Sequence, residues 1–163
     1  MIAPNPVEIH LAINHLPVLG LPFAAGLLLA GLVLENGEWR RAGLWAAVLT
    51  GIAVWAVYLS GDPAADAIGG LAGVSDHDIG RHAAMAWRFA WAASFVGAVA
   101  AGVLAGYRRG PSPSPRACTA VLVLTLAATA VGGLTANLGG RIRHPELTGI
   151  AAGAPAAGGA EAK

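Results

Sequence analysis

Charged residues are scarce in this chain. Only 12% of its 163 residues are Asp, Glu, Lys or Arg, whereas 56% are hydrophobic and the mean hydropathy is +0.62. A soluble domain carries about 25% charged residues, so this composition favours a membrane protein. The net charge of +1 is too small to indicate a nucleic-acid-binding surface.

Cysteine is nearly absent as well. Cys118 is the single cysteine, which excludes an internal disulfide, and we interpret it as a small apolar helix residue. The sequence contains no Cys-x-x-Cys-His, so a covalently attached c-type haem is excluded. No Ser–His–acid order indicates hydrolysis. We therefore favour an electron-transfer or accessory membrane protein over a stand-alone enzyme.

Long apolar stretches dominate what is present. Four of them reach or approach the about 20 residues that a helix needs to cross a membrane. The alternation of polar and apolar residues that barrel strands require is missing, so the fold is predicted to be all-α, an integral membrane four-helix bundle with short loops. The helices are predicted at about residues 9–34, 42–61, 76–107 and 117–140, within a transmembrane domain over residues 1–148. An Ala/Gly-rich tail at 149–163 is predicted to be disordered.

The connection between the second and third helices is more polar than the others. Asp62-Pro63 predicts the start of a short interfacial helix, and Ser75 followed by Asp78 predicts a helix that begins near Asp76. The acidic residues here are interpreted as caps and solvated loop residues, although with His77 they offer an alternative site for a divalent cation: Asp62, Asp66, Asp76 and Asp78.

The histidines gather at one membrane face. Four helices that cross in turn bring the starts of the first and third helices to the same face as the ends of the second and fourth. All five histidines fall at this face: His10, His15, His77, His82 and His144. The opposite face has more arginines near the membrane, which favours it as the cytoplasmic side. We therefore expect a bacterial inner-membrane protein with the histidine face and both termini outside.

Histidines on facing helices of a bundle are typical ligands of b-type haem. His10 and His15 are five residues apart, about 140° around a helix, so a straight helix does not present both to one metal. The same limit applies to His77 and His82. The preferred haem ligands are therefore His15 from the first helix and His82 from the third. A second haem or a divalent metal would use His10, His77 or His144.

Other residues are candidates for the cofactor site. Arg88 and Asn137 are polar residues at membrane depth, where a partner is required, and Arg88 is placed to meet a haem propionate. Pro17 lacks an N–H and predicts a kink in the first helix, which frees the Ile13 carbonyl to orient an imidazole. Aromatic residues of the third helix are expected to pack against a porphyrin: Trp87, Phe89 and Trp91.

Residues 8–148 resemble a known family. "IHLAINHLPV" gives His-x4-His-x-Pro at the first helix, "SGDPAAD" precedes the third helix, and "TANLGGRIRHPEL" closes the fourth. This pattern resembles the small bacterial membrane proteins of the domain of unknown function 2231 type. Members are often haem-associated or redox-associated, and related domains occur joined to cytochrome c modules. The resemblance implies matched positions at His10, His15, Pro17, His82, Gly139 and Gly140.

The favoured function is thus a cytochrome b-like protein that binds haem b between the first and third helices and exchanges electrons with a cytochrome c, a cupredoxin or a quinol. Two alternatives stay open. One is a metal-handling or transport protein that uses the His/Asp surface and a buried Arg88. The other is a cofactor-free accessory subunit whose small-residue faces pack against other membrane subunits.

Overall fold

The computed structural model describes residues 4–107 and 112–143. Across these residues the regular structure is helical, without strands. The helices are α1 (Pro6–Ile13), α2 (His15–Val33), α3 (Gly37–Leu59), α4 (Gly61–Ile68), α5 (Asp76–Gly106) and α6 (Pro115–Arg143). Helix α1 leads directly into α2, and α3 leads into α4. These two pairs, together with α5 and α6, make four spans of 28 to 32 residues, each long and apolar enough to cross a membrane. The predicted all-α four-helix membrane bundle is confirmed.

The four long helices surround one apolar core. Each of α2, α3, α5 and α6 packs against two neighbours, in the cyclic order α2, α3, α5, α6. The core between them is built from fully buried side chains: Leu21, Leu28, Leu44, Val96 and Val121. At one end of the bundle, α1 packs against α4. This pair covers the end that the histidines occupy.

Two glycines bring α3 and α5 into close contact. A Cβ on Gly51 would lie 2.8 Å from the Ala93 carbonyl oxygen, and a Cβ on Gly97 would lie 3.2 Å from the Gly51 Cα. Small residues allow such approach where lipid removes the hydrophobic drive for association. A Cβ on Gly102 or Gly106 would meet no described atom within 4 Å, so these two glycines do not form a close helix contact within the described part of the chain.

Capping residues set the helix starts. The Asn5 side chain accepts from the Val7 N–H at 2.9 Å, and Glu8 reaches back to the Asn5 N–H at 3.1 Å, which forms a capping box. The Asn36 side chain caps α3 by accepting from the Glu38 and Trp39 N–H groups, so both helices begin a few residues before the predicted positions. Ser75 caps α5 as predicted, accepting from the Asp78 N–H at 3.3 Å.

The first span is interrupted at Asn14, between α1 and α2. This interruption agrees with the predicted kink, because Pro17 has no N–H to donate one turn back. In the second span, α4 begins at Gly61, directly after α3, and Asp62 lies in its first turn instead of capping it. The predicted disordered tail at 149–163 lies outside the described residues.

Candidate functional site, a cavity lined by histidines

A cavity of about 480 Å³ lies at the end of the bundle where α1 and α4 pack. All six helices contribute to its lining, and most of the lining is aliphatic. The walls are formed by residues such as Val18, Val54, Ile68, Ile79 and Phe89. The polar lining residues are His10, Asn14, His15, Tyr58, Asp62, His82 and Thr135. An apolar cavity of this size with a few convergent polar groups is typical of a small-molecule or cofactor site.

His82 is held by helix α6. Its Nδ1 lies 3.0 Å from the Thr135 carbonyl oxygen. A carbonyl only accepts, so Nδ1 carries the proton and the neutral ring keeps an unprotonated Nε2. Gly139 makes room for the ring, since a Cβ there would lie 3.0 Å from His82 Cε1. Gly139 and the Thr135 carbonyl therefore set the position and the tautomer of the His82 ring.

His10 is oriented in an analogous way by Ser60, at the end of α3. Its Nδ1 lies 2.8 Å from the Ser60 hydroxyl oxygen, and the Ser60 hydroxyl donates to the Val57 carbonyl at 2.7 Å. Because the hydroxyl proton is already used, the Ser60 oxygen accepts from His10 Nδ1–H. The Nε2 of neutral His10 is then unprotonated, as in His82.

His10 and His82 come from the first and third spans and line the same cavity. Each donates its Nδ1–H to an oxygen of a neighbouring helix end, which is the arrangement that sets the tautomer of metal-ligating histidines. Two ligand-competent imidazoles thus converge on one apolar cavity.

His15 also lines this cavity, although its side chain is exposed overall. A straight helix would not present His10 and His15 to one site, but the interruption at Asn14 separates them into two helices. The Asn14 Oδ1 atom is buried and has no hydrogen-bond partner among the described residues, and Asn14 lines the cavity too. A buried unpaired acceptor costs about 1–3 kcal/mol, so this oxygen favours a ligand.

Other predicted site residues lie elsewhere. The side chains of His77, Arg88 and Asn137 are exposed and are not part of the cavity lining. His144 lies outside the described residues. Within residues 4–107 and 112–143, no group of three or more His, Cys, Asp or Glu side chains is placed to hold a metal ion.

An aromatic cluster adjoins the cavity. Tyr58, which lines the cavity, packs against Trp55 and Trp87, with ring centroids 5.8 and 5.5 Å apart. Trp91 packs edge-on against Trp55 at 5.4 Å. Of the three aromatic residues predicted to contact a cofactor, Phe89 lines the cavity, whereas Trp87 and Trp91 join this cluster between α3 and α5.

Sequence reasoning missed the two acceptors that orient the imidazoles. Ser60 was a detectable candidate, because it lies at the end of the second apolar stretch of the sequence, at the histidine face. Thr135 contributes its backbone carbonyl, which any residue type would supply, so no sequence signal marks it. Tyr58 was also missed, since a tyrosine near a helix end reads as an ordinary interfacial residue.

Comparisons of the chain with protein-family models, with curated proteins and with solved structures found no match. The resemblance to the domain of unknown function 2231 type therefore stays a prediction. The chemistry of the cavity is the basis for assigning a function.

Proposed function

We propose that this protein is a membrane cytochrome of the b type, with haem held in the cavity between the first and third spans. The observation that carries the proposal is the pair His10 and His82, each with Nδ1–H donated to a protein oxygen and Nε2 unprotonated. Such pairs on facing helices are how helix bundles bind haem.

The cavity fits a large apolar group better than a bare ion. Its volume of about 480 Å³ lies within the range of 300–1,000 Å³ found for ligand pockets. Its aliphatic walls and Phe89 would exclude water from both faces of a flat ring. Within the part of the chain that the structure describes, no lysine or arginine lines the cavity, so the expected contact of Arg88 with a propionate is left out of the proposal.

The protein's own groups would position and tune the site. Ser60 and the Thr135 carbonyl would hold the two rings in orientation and raise the basicity of Nε2. Bound haem would supply one-electron transfer, and the low polarity of the cavity would influence its potential. The proposed ligand pair is His10 with His82, instead of His15 with His82, because His10 has the orienting partner.

A second candidate is a transition-metal site in the same cavity, as in a metal-handling protein. The observation that favours it is that the buried Asn14 Oδ1, which has no hydrogen-bond partner among the described residues, lines the same cavity as the two ligand-competent imidazoles. Imidazole nitrogens suit several transition metals, among them zinc, copper and nickel.

For location and partners, we propose the bacterial inner membrane with the histidine face outside. The excess of arginine at the opposite end supports this orientation. A cytochrome c, a cupredoxin or a quinol would then be the electron partner, reaching the site from that side.

The test is a haem titration of the detergent-solubilised protein, followed by Soret absorbance. We compare the wild type with His10→Ala, His82→Ala and His15→Ala, and use His77→Ala as the control because His77 is exposed and does not line the cavity. Helicity by circular dichroism establishes that each variant is folded. Loss of the bis-histidine spectrum in His10→Ala and His82→Ala, with His77→Ala unchanged, is expected. A spectrum lost in His15→Ala and kept in His10→Ala would refute the proposed ligand pair.

A further inference from the structure

The end of the bundle opposite the histidines contains two arginines whose Nε atoms have no hydrogen-bond partner among the residues that the structure describes. Arg40 is 9% exposed, and its Nε is buried without a hydrogen-bond partner. The Nε of the adjacent Arg41 is buried and unpaired as well. Both residues lie in the first turns of α3, which begins at Gly37.

The burial of Arg40 is built into the turn between α2 and α3. A Cβ on Gly31 would lie 2.5 Å from the Arg40 backbone nitrogen and 2.8 Å from Arg40 Cγ. Glycine is therefore required for the end of α2 to meet the start of α3. The Arg40 N–H donates to the Asn36 carbonyl at 3.3 Å, and the Asn36 side chain caps the helix, so the arginine has a fixed place.

The segment leading into α6 closes the other side of this place. A Cβ on Gly37 would overlap the Ser112 hydroxyl and lie 3.8 Å from Arg40 Nη2. The guanidinium thus sits between the N-terminal turn of α3 and the N-terminal region of α6, where both helix dipoles add positive potential.

An anion would stabilise an arginine in this position, because its side chain is buried and its Nε has no hydrogen-bond partner among the described residues. Guanidinium stays protonated in proteins, and burying a charge is costly unless it is paired and hydrogen-bonded. The nearby carboxylates, Glu35 and Glu38, are exposed. The ends of the apolar helices lie at the depth of lipid headgroups. Phosphate oxygens match the guanidinium fork and are the anions most available there.

We propose that Arg40, with Arg41 beside it, forms a binding site for the phosphate of an anionic phospholipid headgroup, at the end of the bundle away from the histidine cavity. This site is independent of any haem. It would fix the protein's depth and rotation in the bilayer on the arginine-rich side.

The test is native mass spectrometry of the full chain in detergent, titrated with phosphatidylglycerol and with phosphatidylcholine. The variants are Arg40→Gln, Arg40→Lys and the control Arg81→Gln, because Arg81 is exposed at the opposite end. Arg40→Gln is expected to weaken phosphatidylglycerol binding at least about tenfold, Arg40→Lys less, and Arg81→Gln not at all. Arg41→Gln provides a second variant if Arg40→Gln does not fold.

Three results would overturn the lipid site. One is equal retention of both lipids by the wild type. Another is unchanged phosphatidylglycerol binding in folded Arg40→Gln and Arg41→Gln. The third comes from a separate arm with inorganic phosphate: Arg40-dependent thermal stabilisation by millimolar phosphate, without any by phosphatidylglycerol, would assign the site to a free anion.

Discussion

Replacing Gly139 by alanine tests whether α6 positions His82. The added Cβ would lie 3.0 Å from His82 Cε1 and 3.2 Å from Nδ1, so the ring has to move by a few tenths of an ångström. The hydrogen bond to the Thr135 carbonyl already spans 3.0 Å, and such a shift weakens it. Losing the orienting partner of a ligating histidine costs about 10–100-fold in affinity, or about 1.4–2.8 kcal/mol.

Gly140→Ala is the matched control. Gly140 also lines the cavity, but a Cβ there would meet no atom within 4 Å. Replacing either glycine by alanine stabilises the helix by about 1 kcal/mol. This gain is common to both variants, so the difference between their haem affinities isolates the contact with His82. The assay is the haem Kd from Soret titration, with thermal melting of the haem-free protein as a second readout. We expect a 10–100-fold weaker Kd and a lower melting temperature for Gly139→Ala than for Gly140→Ala. Equal values for the two variants would refute the role of α6.

Three other predictions follow from the structure. Ser60→Ala removes the acceptor for His10 and is expected to weaken haem binding about 10-fold, whereas Ser60→Thr keeps it; equal haem titrations of the two variants would contradict this role. Acidification is expected to release the cofactor, because only neutral imidazole ligates, so Soret absorbance that stays constant while the protein remains folded at low pH would argue against histidine ligation. Gly51→Val puts a branched side chain against the Ala93 carbonyl and is expected to lower the free energy of unfolding by about 1–3 kcal/mol. Denaturation in detergent measures this change, with Gly102→Val as the control.

The fold was predictable because length and hydropathy alone define membrane spans. The interruption at Asn14 was also accessible, since Pro17 removes a helix hydrogen bond wherever it lies. The predicted starts of the first and second helices lie several residues after the observed ones, because Asn5 and Asn36 lie outside the apolar runs. Both asparagines are nevertheless recognisable helix caps.

The candidate site was only partly predictable. Chain order brings the starts of the first and third spans to one end of the bundle, where the structure places His10, His15 and His82 around one cavity, although the sequence argument assigned His10 to a possible second site. The position of a residue along an apolar stretch indicates its depth in the membrane, but it does not indicate which side of the helix the residue lies on. In a bilayer the lipid-facing and core-facing sides are both apolar, so no periodic signal showed that Arg88 and Asn137 lie on exposed faces.

The central claim is most directly tested by the optical spectrum of the protein purified in mild detergent from cells that make ample haem. The spectrum is recorded oxidised and then after dithionite reduction. The account predicts a Soret band and sharp reduced α and β bands, typical of low-spin bis-histidine haem, that disappear in His10→Ala and in His82→Ala. A folded protein that is colourless after such expression, and that remains colourless when haem is added, would contradict it.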